Sequence, residues 1–155
     1  MKNIFYYDTV IGRLKIAENG QEITEIQLIK DGINCPTNET PLIKKACQEL
    51  AEYFAGKRKV FDLPLKLEGT EFQKRVWQAL MGIPYGETRS YKQIAKAVGC
   101  PKGCRAVGNA NNKNKILIVV PCHRVMGANG GLVGFGAGID AKMKLLQIEN
   151  KKYIA

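Results

Sequence analysis

Apolar and polar residues follow different periods in different stretches of the chain. Residues 1–30 alternate loosely, as in Ile23 Thr24 Glu25 Ile26 Gln27 Leu28, the period of two expected of half-buried strands. Asn19 Gly20 supplies the turn of a hairpin. From Thr40 the period lengthens. Pro41 suits a first helical position, Leu42, Ala46, Leu50 and Phe54 are expected on one face, and Gly56 closes the helix. Residues 1–67 are therefore expected to form a small α/β domain, an antiparallel sheet plus a helix, with Lys57 to Leu67 as its connection.

Residues 68–155 read as a mostly helical second domain, so the fold class is α+β. Thr70 and Gln73 make a capping box, and Phe72, Val76, Trp77 and Leu80 form a stripe that ends before Gly82 and Pro84. Ser90 and Gln93 repeat the box. Tyr91 to Val98 predicts a short helix stopping at Gly99, and Pro101 is placed to start another running through Arg105, Val107 and Ala110. Two short helices joined by a glycine-containing turn are the sequence form of a helix-turn-helix, a pairing also common in proteins that never touch DNA. Ile116 to Val120 is an apolar run that predicts a buried strand, stopped by Pro121.

Charge narrows the partner. Twenty-four Lys and Arg against 14 Asp and Glu give +10, a surplus that favours a polyanion such as nucleic acid, although a basic surface can also serve solubility alone. The rest of the composition, 45% apolar and 25% charged over 155 residues, is that of an ordinary globular chain with one core, or one core and a satellite. No apolar stretch approaches the ~20 residues of a bilayer span. Met1 to Asp8 lacks the apolar centre of a signal peptide, so a cytoplasmic location and reduced thiols are expected, the odd count of five cysteines also opposing a closed disulfide framework.

The chemistry concentrates at Pro121 Cys122 His123 Arg124 Val125, where a thiol adjoins the chain's one histidine. A free cysteine is most often a small buried hydrophobe. Here a base and a positive charge stand beside it, the two groups that activate a thiol. Adjacent residues on a strand point to opposite faces, so contact between Cys122 and His123 needs a turn or a bridging water. Gly127, Gly130, Gly131, Gly134, Gly136 and Gly138 follow, implying a backbone that passes close to something flat. Their spacing fits neither a P-loop nor a dinucleotide fingerprint. A zinc site usually takes four Cys or His ligands; Cys35 and Cys47 are the only ones before residue 100, and Cys100 and Cys104 stand apart in the helix-turn-helix, so no complete site is visible and no metal is expected.

Pro121 to Val125 resembles the active-site signature of the O6-alkylguanine-DNA alkyltransferases, the methylated-DNA-protein-cysteine methyltransferases. Thr70 to Trp77, Ile83 to Thr88, Ser90 Tyr91, Ile94 Ala95 and Arg105 to Ala110 resemble that family in the same order, so the likeness runs from about residue 70 to Glu149. It implies stoichiometric transfer of an alkyl group from O6-alkylguanine, and O4-methylthymine, in double-stranded DNA to Cys122, by a monomer without a cofactor. His123 would take the thiol proton through water, Glu149 would orient the imidazole and Asn114 would fix the active-site turn. An O6 alkyl group lies inside the base stack, so its nucleotide must be flipped out at a cost of a few kcal/mol. The resemblance gives that task to the second helix in the minor groove, with Arg105 filling the gap, Ala106 and Gly108 along the DNA, and Tyr91 near the 3′ phosphate.

By the same resemblance Pro121, Val125, Phe135 and Gly136 wall the guanine pocket. Phe135 stands where many relatives carry tyrosine and Ala137 where they carry glycine, so a hydroxyl donor to guanine O6 is missing. Position alone would make Glu149 a helix-terminal glutamate, Arg105 a solvated arginine and Tyr91 a buried helix-start aromatic. Two other functions remain open. A lesion-binding module resembling the alkyltransferase-like proteins would lack the cysteine that is present here. A cysteine hydrolase or redox sensor would place a distant histidine or a second thiol beside Cys122, and neither is visible.

Overall fold

A computed structural model of the chain describes residues 3–29, 37–127 and 138–153. It divides into two compact units, Met1–Leu67 with Lys115–Leu117, and Glu68–Asn114 with Ile118–Ala155. The first holds an antiparallel sheet of β1 (Asn3–Thr9), β2 (Gly12–Glu18) and β3 (Ile23–Ile29), in that order. Leu14 and Ile16 of β2 point into the core opposite Leu28 and Ile26, while Arg13 and Lys15 alternate outward. At Asn19 the side-chain oxygen accepts from Gln21 N and Glu22 N at 3.0 and 2.8 Å, and Gly20 takes φ +99°, so the expected turn forms.

Helix α1 (Pro41–Phe54) begins where Thr40 accepts from Ile43 N at 3.2 Å. Its buried stripe is Ile43, Ala46, Leu50 and Tyr53, not the expected Leu42, Ala46, Leu50 and Phe54. Repeated steps of four drift around a helix of 3.6 residues per turn, whereas alternating steps of three and four stay on one face. Ile43 and Leu50, both fully buried, each contribute roughly 1.5–3 kcal/mol.

The apolar run before Pro121 is not the strand its composition predicts. Ile116 forms a parallel bridge to Ile26, with Ile26 N donating to Lys115 O at 2.9 Å and Leu117 N to Ile26 O at 2.8 Å. At Ile118 the backbone turns to φ +73°, a left-handed conformation costly for a β-branched residue. One continuous run serves two cores: Ile116 and Leu117 belong to the first unit, while Ile118 and Val120 are buried in the second.

The second unit contains α2 (Glu71–Met81), β4 (Arg89–Ser90), α3 (Tyr91–Ala97), α4 (Cys104–Asn112), β5 (Val125–Met126) and α5 (Ile139–Glu149). Both expected capping boxes are present, at Thr70 with Gln73 and at Ser90 with Gln93. Val76, Trp77 and Leu80 are buried, and the Trp77 indole donates to Ala110 O at 2.9 Å, fastening α2 to α4. Helix α4 opens at Cys104 with Gly103 as its cap, later than Pro101, which lies in the preceding turn. Strands β4 and β5 pair in parallel, Arg89 with Val125 and Ser90 with Met126. Among the described residues no helix is long and apolar enough to cross a membrane.

Candidate active site

Residues Cys122–Arg124 form a single 3₁₀ turn, closed by Arg124 N donating to Pro121 O at 3.0 Å. In such a turn successive side chains diverge by ~120°, so Cys122 and His123 do not face opposite ways as they would on a strand. Both are buried, as are Pro121 and Val125. Asn114 Nδ2 donates to Val120 O at 2.8 Å, and the Asn114 side chain also hydrogen-bonds the Cys122 thiol. From α4, Asn111 Nδ2 donates to Cys122 O at 3.4 Å.

The acid arrives on α5. Glu149 Oε2 lies 2.6 Å from His123 Nε2, and Arg124 grips the same carboxylate through Nε at 2.8 Å and Nη2 at 3.1 Å. The remaining guanidinium nitrogen donates to Ile83 O at 2.8 Å, and the group stands over the Tyr85 ring. Burial pushes the Glu149 carboxyl up, but the hydrogen bonds and charges of His123 and Arg124 prevail and hold it at about 2. An ionised carboxylate only accepts, so His123 Nε2 carries the proton and Nδ1 bears the lone pair. That Nδ1 is buried and makes no hydrogen bond among the described residues. Burial also lowers the His123 pKa, outweighing Glu149, so the ring is a neutral base at pH 7.

Burial pushes the Cys122 thiol up to about 11, against the Asn114 hydrogen bond and the charge of Lys142. The resting group is therefore a thiol that needs a base. Lys142, fully buried on α5, donates to Val125 O at 2.6 Å, and desolvation brings it down to about 8. Arg124, adjacent in sequence to the thiol pair, is engaged with Glu149; the cation that acts on Cys122 is Lys142. Tyr91, half-buried at the start of α3, senses the Cys122 charge and is hydrogen-bonded by Asn111, with burial raising its pKa overall.

Lys142 and Asn111 are absent from the sequence-level set of candidates, though a signal for each exists. Lys142, Leu145, Leu146 and Glu149 share one face of α5, which puts two opposite charges on an apolar stripe. Asn111 follows Val107 by one helical turn on the inner face of α4. On the opposite face of that helix Arg105 and Ala106 are exposed, and Gly108 sits where a Cβ would stand 3.9 Å from the Tyr91 ring. Lys92, Lys96, Lys102 and Lys113 are exposed around the same helix pair, and no Asp or Glu occurs between Glu87 and Asp140. Phe135, Gly136 and Ala137 lie outside the described residues. Among the described residues, no three His, Cys, Asp or Glu side chains gather as metal ligands.

This arrangement has parallels among known proteins. The chain is 49% identical to the constitutive methylated-DNA–protein-cysteine methyltransferase of Bacillus subtilis, the match covering 94% of each, and 48% identical to a methylated-DNA–protein-cysteine methyltransferase of Methanosarcina acetivorans, covering 92% and 95%. The crystal structure of Mycobacterium tuberculosis O6-methylguanine methyltransferase superposes with a TM-score of 0.90 at 43% identity, covering 97% of this chain and 94% of that one. The M. tuberculosis OGT structure in complex with DNA gives 0.86 at 44% identity, over 97% and 93%. Residues 4–67 match the ribonuclease-like domain, and residues 71–151 the DNA-binding domain, of 6-O-methylguanine DNA methyltransferase. With both domains matched in order, the chain belongs to the 6-O-methylguanine DNA methyltransferase family.

Proposed function

We propose that the chain repairs double-stranded DNA by moving an alkyl group from guanine O6 to its own Cys122, once per molecule. The observation that carries this reading is the Glu149 carboxylate 2.6 Å from His123 Nε2, which leaves Nδ1 as a free lone pair one residue from a thiol. The thiol proton passes through water to Nδ1. The sulfur then attacks the alkyl carbon, a C–S bond forms as the C–O6 bond breaks, and guanine keeps the electron pair and regains a proton. Lys142 and Asn114 favour the thiolate while it forms, and a positioned base contributes ~10² to 10⁴ in rate. A protein that only binds lesions has no use for this base.

The exposed face of α4 is the DNA-contacting surface in this reading, with Arg105 entering the stack in place of the flipped nucleotide, Ala106 and Gly108 allowing close approach, and Tyr91 steering the phosphate. Pro121 and Val125, both buried beside Cys122, border the guanine pocket in this reading. All of the proposed catalytic groups come from one unit of one chain, so a monomer suffices, acting in the cytoplasm without a cofactor. Intact-mass measurement tests the reading. Wild type incubated with methylated duplex should gain one methyl group per chain at Cys122, while Cys122→Ser should bind the same DNA and gain none. A gain in the serine variant, or none in wild type, would refute it.

A further inference from the structure

Among the described residues, two buried side-chain atoms of the second unit lack a hydrogen-bond partner: His123 Nδ1, already given a role, and Asn111 Oδ1. A buried amide oxygen left unpaired is costly and calls for an explanation. The orientation of this amide is fixed by its surroundings. Nδ2 faces the Cys122 carbonyl at 3.4 Å, where only a donor can sit, and the amide donates to the Tyr91 hydroxyl as well. Its donors are thus engaged on two groups of the active site, and its acceptor is left over beside them.

An O6-alkylated guanine has lost its N1 proton. O6, N1, N3 and N7 then all act as acceptors and N9 is bonded to the sugar, so the exocyclic N2 amino group is the base's remaining donor. We propose that Asn111 is a specificity residue whose Oδ1 accepts a hydrogen bond from that amino group, selecting guanine lesions over alkylated bases that lack it. The inference rests on the alkyl-transfer reading above and names the group by which the base is recognised. A site that hydrogen-bonds a substrate N–H discriminates against the analogue without it, because its own buried acceptor stays unpaired.

The test compares single-turnover methyl transfer from two duplexes, one holding O6-methylguanine and the other O6-methylhypoxanthine, the same base without the amino group. Wild type should act faster on the guanine lesion, by about tenfold to a hundredfold. Asn111→Leu also loses the amide's contacts with Cys122 O and Tyr91, so both rates should fall, the guanine rate by the larger factor, bringing the ratio towards one. Asn111→Ala provides the same ratio should the leucine variant fail to fold, as judged by its thermal melt. Equal slowing on both duplexes would make Asn111 a mere support for Cys122 and Tyr91, and a preference kept by the variants would place amine recognition elsewhere; either result overturns the proposal, as does a wild type that shows no preference. Absence of transfer by wild type from both duplexes would refute alkyl transfer itself, and this proposal with it.

Discussion

Replacing Glu149 by glutamine should expose how much of the active site's stability is electrostatic. The carboxylate is buried between His123 and Arg124, and removing its charge leaves a guanidinium that is itself only 7% exposed without a counterion. A carboxyl that falls from its ordinary 4.5 to about 2 on folding contributes about 3 kcal/mol at neutral pH. Breaking a buried ion pair from one side costs about 3–5 kcal/mol, the same order. Because the folded pKa is depressed, this stability is fully present above the unfolded pKa of 4.5 and is lost as pH falls towards about 2. The gap between wild type and Glu149→Gln should therefore shrink to about 1 kcal/mol at roughly pH 3.

Urea unfolding followed by tryptophan fluorescence is the suitable assay, since Trp77 is the chain's one tryptophan and lies buried in the second unit. At a slope of ~2 kcal/mol per M, the midpoint at pH 7 should drop by about 1.5 M. No drop at pH 7, or one of the same size at pH 3, would mean that the Glu149 charge does not supply this stability. In the molecules that remain folded, alkyl transfer should slow by ~10², since the His123 tautomer is no longer imposed.

Three further outcomes are expected. Arg105→Ala should slow repair of duplex DNA while hardly changing transfer from a free base such as O6-benzylguanine, which needs no flipping; single-turnover rates falling by one factor on both substrates would remove Arg105 from the flipping step. Lys142→Met should slow transfer and move its pH-rate profile upward, because the cation that favours the Cys122 thiolate is gone, and an unchanged profile between pH ~6 and ~10 would exclude that role. Trp77→Phe should cost about 2 kcal/mol by removing the indole hydrogen bond to Ala110 O, which keeps its bond from Lys113 N, and by leaving part of the core unfilled, with a thermal melt by circular dichroism as the check and an unaltered melting temperature as the refutation.

Local signals carry most of the fold. Thr70 with Gln73 and Ser90 with Gln93 mark where helices begin because a cap is chosen by residues within one turn of it, and Asn19 Gly20 sets its turn for the same reason. The candidate nucleophile and base also stand out in the sequence, since Cys122 and His123 are neighbours and no other histidine competes. Which helix face turns inward was less legible, as the stripe of α1 shows, because a step of four fits several faces until a core selects one.

Other features depend on contacts between residues far apart in the chain. Composition alone could not reveal that the run 116–120 would break at Ile118, because burial against two different cores looks in sequence like one buried strand. Nor could proximity in sequence assign the charges. Arg124 stands two residues from Cys122 yet neutralises Glu149, and Lys142, twenty residues away, is the cation that acts on the thiol. A side chain's electrostatic partner is set by distance in space and by exclusion of water. Chain position therefore singles out the candidate residues, while packing decides their protonation and their partners.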